Sequence, residues 1–95
     1  MAKTIGAQVK EIVQKISIEV GWCKDLWYHN DKLKQLRRLK FYMNGWEVPE
    51  TMKQEMIDKV TKELNDNNIP FIKVEWIVSR SYRGPYDKFI VEVNH

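Results

Sequence analysis

The sequence predicts an α+β fold, with two to three helices in the N-terminal and central parts of the chain packed on a C-terminal antiparallel β-hairpin. Three observations carry that reading. Apolar residues recur at steps of three and four over the first twenty residues and again between 51 and 64. From residue 72 the apolar period changes to two, on both sides of a turn-rich segment. No repeat, low-complexity tract or flexible linker divides the 95 residues, so 1–95 is expected to form a single compact domain.

The first helix rests on Ile5, Val9, Ile12, Val13, Ile16 and Val20, which share one arc at about 100° per residue. Lys10, Glu11, Gln14, Lys15 and Glu19 fall outside it, and Gly21 suits a left-handed terminus. Trp22, Leu26, His29, Leu33 and Leu36 share a second arc and predict a helix over about 23–38. Beyond Arg38 two continuations stand open. In one the helix runs through Leu39 and Met43 and stops at Asn44-Gly45. In the other, 39–43 and 46–48 are short strands joined by Asn44-Gly45, a strong hairpin signal.

Thr51, with Gln54 three residues on and Pro49 upstream, reads as a capping box opening a further helix. Met52, Met56, Val60 and Leu64 are its buried stripe, and Asn65-Asp66-Asn67-Asn68 breaks it before Pro70. In the C-terminal hairpin, Ile72, Val74, Trp76 and Val78 alternate with Lys73, Glu75, Ile77 and Ser79. Phe89, Val91 and Val93 alternate with Lys88, Ile90 and Glu92 on the return. Between them, 80–87 reads as a wide loop punctuated by Gly84-Pro85. Ile77 and Ile90 interrupt the polar face, and a two-stranded hairpin has two edges to cover. Other elements of the chain cover them, or a second copy does, which makes a homodimer through the hairpin one expectation.

Composition narrows the class of function. Hydrophobic residues make up 43%, too many for a disordered chain, and no apolar run approaches the ~20 residues of a membrane span. A single cysteine, Cys23, rules out a disulfide framework or a zinc ribbon, and the stretch after Met1 lacks the pattern of a cleavable signal. A cytoplasmic address without membrane contact is the expectation. The net charge of +3 is uneven: residues 24–43 carry six basic side chains against two acidic, while 44–67 carry three against six.

Neither catalytic, cofactor-binding nor metal-ligating residues are expected. The glycines (Gly6, Gly21, Gly45, Gly84) are isolated, which excludes a phosphate loop, and Ser17, Ser79 and Ser81 sit in no nucleophile elbow. Cys23 and His29 would diverge on a helix. Asp25, His29 and Asp31 could share a site, but two carboxylates and one imidazole form no zinc pattern. A half-buried, hydrogen-bonded His29 with Asp25 at a helix N-terminus accounts for the same residues. The chain reads as a non-enzyme.

Two patches combine cations and aromatics. Trp27, Lys34, Arg37, Arg38 and Phe41 share one arc if the second helix runs on, and Arg80, Tyr82, Arg83 and Tyr86 gather at the hairpin tip. Such patches suit phosphate neutralisation with base stacking, and equally a protein interface, where Trp, Tyr and Arg dominate. Packing of Trp27 and Phe41 beside a solvated basic face is the plainer account. With one helix over 23–43 the element order resembles a winged helix, the tip as wing and 51–64 as recognition helix. Against it, Lys53, Lys59 and Lys62 are outweighed by Glu50, Glu55, Asp58, Glu63 and Asp66, and a helix entering a major groove should not be net negative. A hairpin at Asn44-Gly45 would remove the resemblance. The expected function is that of a small binding protein occupying a surface of a larger protein or nucleoprotein machine, an accessory or inhibitor of the kind a phage encodes. The alternative is direct DNA or RNA binding through the two patches.

Overall fold

Helix α1 (Ile5–Val20) forms where the apolar period places it. The computed structural model describes residues 4–22, 26–32, 36–42, 47–82 and 84–94. Thr4 caps α1 by accepting the Ala7 N–H at 3.2 Å. At the other end Gly21 turns left-handed (φ 84°), and the Gly21 and Trp22 N–H groups return to the carbonyls of Ile18 and Ser17. That closure delivers Trp22 to the core, where its ring meets Trp76 edge-on at 5.0 Å.

The helix expected over 23–38 is not formed. Strands β1 (Trp27–Lys32) and β2 (Leu36–Tyr42) stand there, paired antiparallel from Trp27 opposite Tyr42 to Lys32 opposite Arg37. Asn44-Gly45 lies outside the described residues, but 47–49 is not strand, and β2 pairs with the strand that precedes it in the chain. Tertiary pairing decides the outcome: β2 supplies the second neighbour that the last strand requires.

Helix α2 (Glu50–Asp66) buries Met56, Val60 and Leu64 as predicted, with Met52 half-buried. The capping box is not made. Pro49 occupies the cap position without a side-chain bond, and the Gln54 amide donates instead to Asp58 at 2.9 Å. Strands β3 (Lys73–Ser81) and β4 (Gly84–Asn94) follow, and their pairing continues to Ser81 opposite Gly84. The wide loop predicted over 80–87 therefore shrinks to the connection at 82–83. Gly84, at φ 113°, takes a conformation that other residues rarely adopt.

The product is a four-stranded antiparallel sheet in the order β1-β2-β4-β3. Helix-strand-strand occurs twice along the chain, and β2 against β4 joins the halves. The winged-helix resemblance falls away, since a hairpin replaces its second helix. Both helices cover one face, packing Val9, Val13, Ile16, Met56, Val60 and Leu64 against Leu39, Phe41, Phe89, Val91 and Val93. Asp87, read from the sequence as part of a loop, is 4% exposed on this helix side. Its carboxylate accepts the Val48 N–H at 2.7 Å and meets the Lys53 ammonium at 3.0 Å, tying α2 and the segment before it to β4. No helix among the described residues is long and apolar enough to cross a membrane.

Candidate binding surface

Side chains alternate across a sheet, so the register sorts them into two faces. The face away from the helices presents His29 and Asp31 from β1, Arg38, Lys40 and Tyr42 from β2, Tyr86, Lys88, Ile90 and Glu92 from β4, and Lys73, Glu75 and Ile77 from β3. Most charges on it have a partner of opposite sign. Arg38 Nε bonds Glu92 Oε1 at 2.9 Å, and Lys73 Nζ lies 3.2 Å from Glu75 and 3.9 Å from Glu92. Asp31 takes Lys40 at 2.7 Å on one oxygen and His29 at 2.6 Å on the other. The hydrogen bond from Lys40 is the main reason the Asp31 carboxyl titrates below the usual aspartate range. Ile90 stands between Lys40 and Glu75 in the register and is only 1% exposed.

An aromatic cluster sits at one end of this face. The Tyr42 and Tyr86 rings lie 5.7 Å apart, and Lys88 Nζ is 5.0 Å from the first and 5.5 Å from the second. Among the described residues Lys88 has no carboxylate partner.

The two predicted patches are dispersed. Arg37 and Arg38, adjacent on one helical arc, point to opposite sides of β2, and the buried Nε of Arg37 has no hydrogen-bond partner among the described residues. Phe41 belongs to the core, tilted against Tyr28 at 5.2 Å. Trp27 faces Tyr42 in the register, while its side chain, Lys34 and Arg83 lie outside the described residues. Tyr86 is buried at the sheet surface, not displayed on a tip. Arg80 is exposed on the helix side of β3, and Tyr82, 91% exposed, occupies the turn. Of the nine predicted residues, Arg38 and Tyr86 share the outer face by side chain. Tyr42, Lys40 and Lys88 were missed there, although Tyr86 and Lys88 at i,i+2 fit a strand.

A second feature lies along β3. Six large hydrophobic residues are exposed among the described residues, and Ile72, Ile77, Val78 and Tyr82 fall within this one edge and its flanks. No three His, Cys, Asp or Glu side chains among the described residues are grouped to hold a metal. The Asp25–His29 pairing loses its helical basis, and Asp25 itself, like Cys23, lies outside the described residues. His29 is mostly exposed and bonds Asp31 instead of being half-buried. No protein-family model, curated protein or solved structure matches the chain.

Proposed function

We propose that this chain is a small non-enzymatic binding protein that occupies a surface of a larger protein or nucleoprotein machine through the uncovered face of its sheet. The observation that supports this reading is the matching of charge on that face. Arg38, Lys40 and Lys73 each already hold a carboxylate. A surface built for phosphate binding works by releasing counterions from its cations, and here a phosphate must first displace Glu92, Asp31 or Glu75. A mosaic of paired charges around a tyrosine cluster is instead the chemistry of a protein interface. The single cysteine fits a reducing compartment, and we place the protein in the cytoplasm.

Affinity capture from the native host, with and without nuclease, tests the reading when repeated with Tyr42→Ala and Lys88→Glu. A partner that survives nuclease and is lost with either folded variant upholds it. A partner retained by both variants refutes it.

One observation favours the second reading, direct nucleic-acid binding. Lys88 over two tyrosine rings offers a cation and stacking platforms together on an open sheet. That reading requires affinity for a polynucleotide that falls log-linearly with salt, with a shallower slope in Lys88→Ala.

A further inference from the structure

The two edges of the sheet are built differently. β1 is six residues long and carries His29, Asp31 and Lys32, charges of the sort that guard an edge against pairing. β3 is nine residues long, contains no proline, and is uncharged through its centre, Trp76-Ile77-Val78-Ser79. Val78 is 66% exposed there. On its side away from β4 no described strand pairs with β3.

We propose that β3 pairs antiparallel with β3 of a second copy of this chain, joining two four-stranded sheets across a two-fold axis through Ile77. This goes beyond the binding function above, because an edge contact leaves the outer sheet face open. Symmetry restricts the register. A two-fold axis perpendicular to the sheet brings the same faces of both copies to the same side, so facing residues come from one face of their own strand and a residue sits on the axis. Only Ile77, the midpoint of Lys73–Ser81, allows all nine residues to pair. Ile77 then faces Ile77 on the outer side, and Trp76 faces Val78 twice on the helix side. Glu75 faces Ser79, Val74 faces Arg80, and Lys73 faces Ser81, so no charge opposes its like.

The register also gives Arg80 a carboxylate. Arg80 is exposed on the helix side and has no acidic partner among the described residues. Opposite Val74 of the other copy, it enters a cleft of about 360 Å³ between α2 and β3, lined by Glu50, Lys53, Val74 and Trp76. The Glu50 side chain is 91% exposed at that cleft. The junction repeats one the chain already makes, since β2 against β4 joins two helix-strand-strand halves antiparallel with both helices on one side.

The test is the mass of the intact chain in solution by sedimentation equilibrium from about 1 to about 100 μM. The expected mass is twice 11.4 kDa. Ile77→Lys and Ile77→Glu each place like charges on the axis and should weaken the dimer at least about tenfold. Mixing the two variants should restore it, because the axis then holds an opposite-charge pair. Circular dichroism confirms that both fold, and Val78→Lys, at a solvent-exposed position, gives the same loss without touching a packed side chain. A wild-type monomer throughout the range overturns the proposal, including one whose β3 pairs with a strand of another protein. So does a dimer indifferent to all three substitutions. A mixture that stays monomeric overturns the axis at Ile77.

Discussion

Removing the Asp87 carboxylate should cost this domain a large share of its stability. One oxygen accepts the Val48 N–H at 2.7 Å and the other meets Lys53 Nζ at 3.0 Å, with the Asp87 side chain 6% and the Lys53 side chain 17% exposed. Asp87→Ala strands a buried N–H donor and a largely buried cation together. Breaking a buried pair from one side costs about 3–5 kcal/mol. Glu50 remains 3.6 Å from Lys53, so the lower end applies, about 3 kcal/mol. A domain of this size loses about 4–8 °C in Tm per kcal/mol, so thermal melting at pH 7 should shift down by about 12–24 °C. Asp87→Asn keeps an acceptor for Val48 and should lose roughly half as much. Adding Lys53→Met to Asp87→Ala should recover at least about 1 kcal/mol by removing the stranded charge. Burial pulls the Lys53 pKa down, but the Asp87 and Glu50 carboxylates more than offset it, and the net value lies above the ordinary lysine one. A raised pKa contributes its full stability below the unfolded value and loses it as pH rises through the folded one. The deficit of Asp87→Ala should therefore narrow above pH ~10.4. A cost below about 1 kcal/mol at pH 7, or no relief from Lys53→Met, refutes the reasoning.

Arg38→Ala should destabilise the fold by about 2–3 kcal/mol in urea denaturation, because among the described residues buried Glu92 then keeps only Lys73, at 3.9 Å. Arg37→Met should be neutral or stabilising in the same assay, since it removes a buried Nε without a hydrogen-bond partner among the described residues. Gly21→Ala should cost about 1–2 kcal/mol by thermal melting, the strain of placing a Cβ at φ 84°. Lys40→Met should return the Asp31 carboxyl toward the usual aspartate range in an NMR titration. A depressed pKa stabilises above the unfolded value and is lost as pH falls through the folded one, so the acid limb below pH ~4 should flatten in that variant.

The parts of the fold that were legible in the sequence are those where local pattern and tertiary role agree. α1 has one apolar stripe and one glycine stop, and α2 has the spacing of Met56, Val60 and Leu64. The segment 23–43 was not legible. Its leucines fit a 100° arc, its Lys, Arg and Gln favour helix, and only pairing reveals that Leu39 and Phe41 face one side while Arg38 and Lys40 face the other. A signal for the correct reading lay elsewhere in the chain. Phe89-Ile90-Val91 is apolar on both faces, the mark of a central strand, and β3 alone could supply only one neighbour. Ile90, an anomaly on a hairpin's polar face, is explained once β2 stands beside it. The same geometry governs the candidate site. Successive residues on a strand diverge to opposite faces, so Arg37 and Arg38 could not form one patch. Gly84-Pro85 looks like loop punctuation in the sequence, but Gly84 already pairs with Ser81, and Tyr86 and Asp87 follow it into the sheet.

The same geometry resolves the uneven charge. The basic stretch 24–43 precedes an acidic one, but β2 does not answer α2. Arg38 and Lys40 find Glu92 and Asp31 within the sheet, while Glu63 of α2 meets Lys15 of α1 at 4.0 Å and Glu50 and Asp66 lie near lysines of α2 itself. Glu19 and Lys59, at 3.9 Å, complete that exchange with the charges reversed. Most charges on both layers are thus paired locally, and the net charge of +3 is small and rests on side chains such as Arg80 and Lys88 that have no carboxylate partner among the described residues. A surface with paired charges gives a partner registration and discrimination more than long-range attraction, since each displaced pair must be replaced by an equally good one. Affinity for a protein partner should then change little between low and moderate salt. Binding through released counterions would instead fall steeply over the same range.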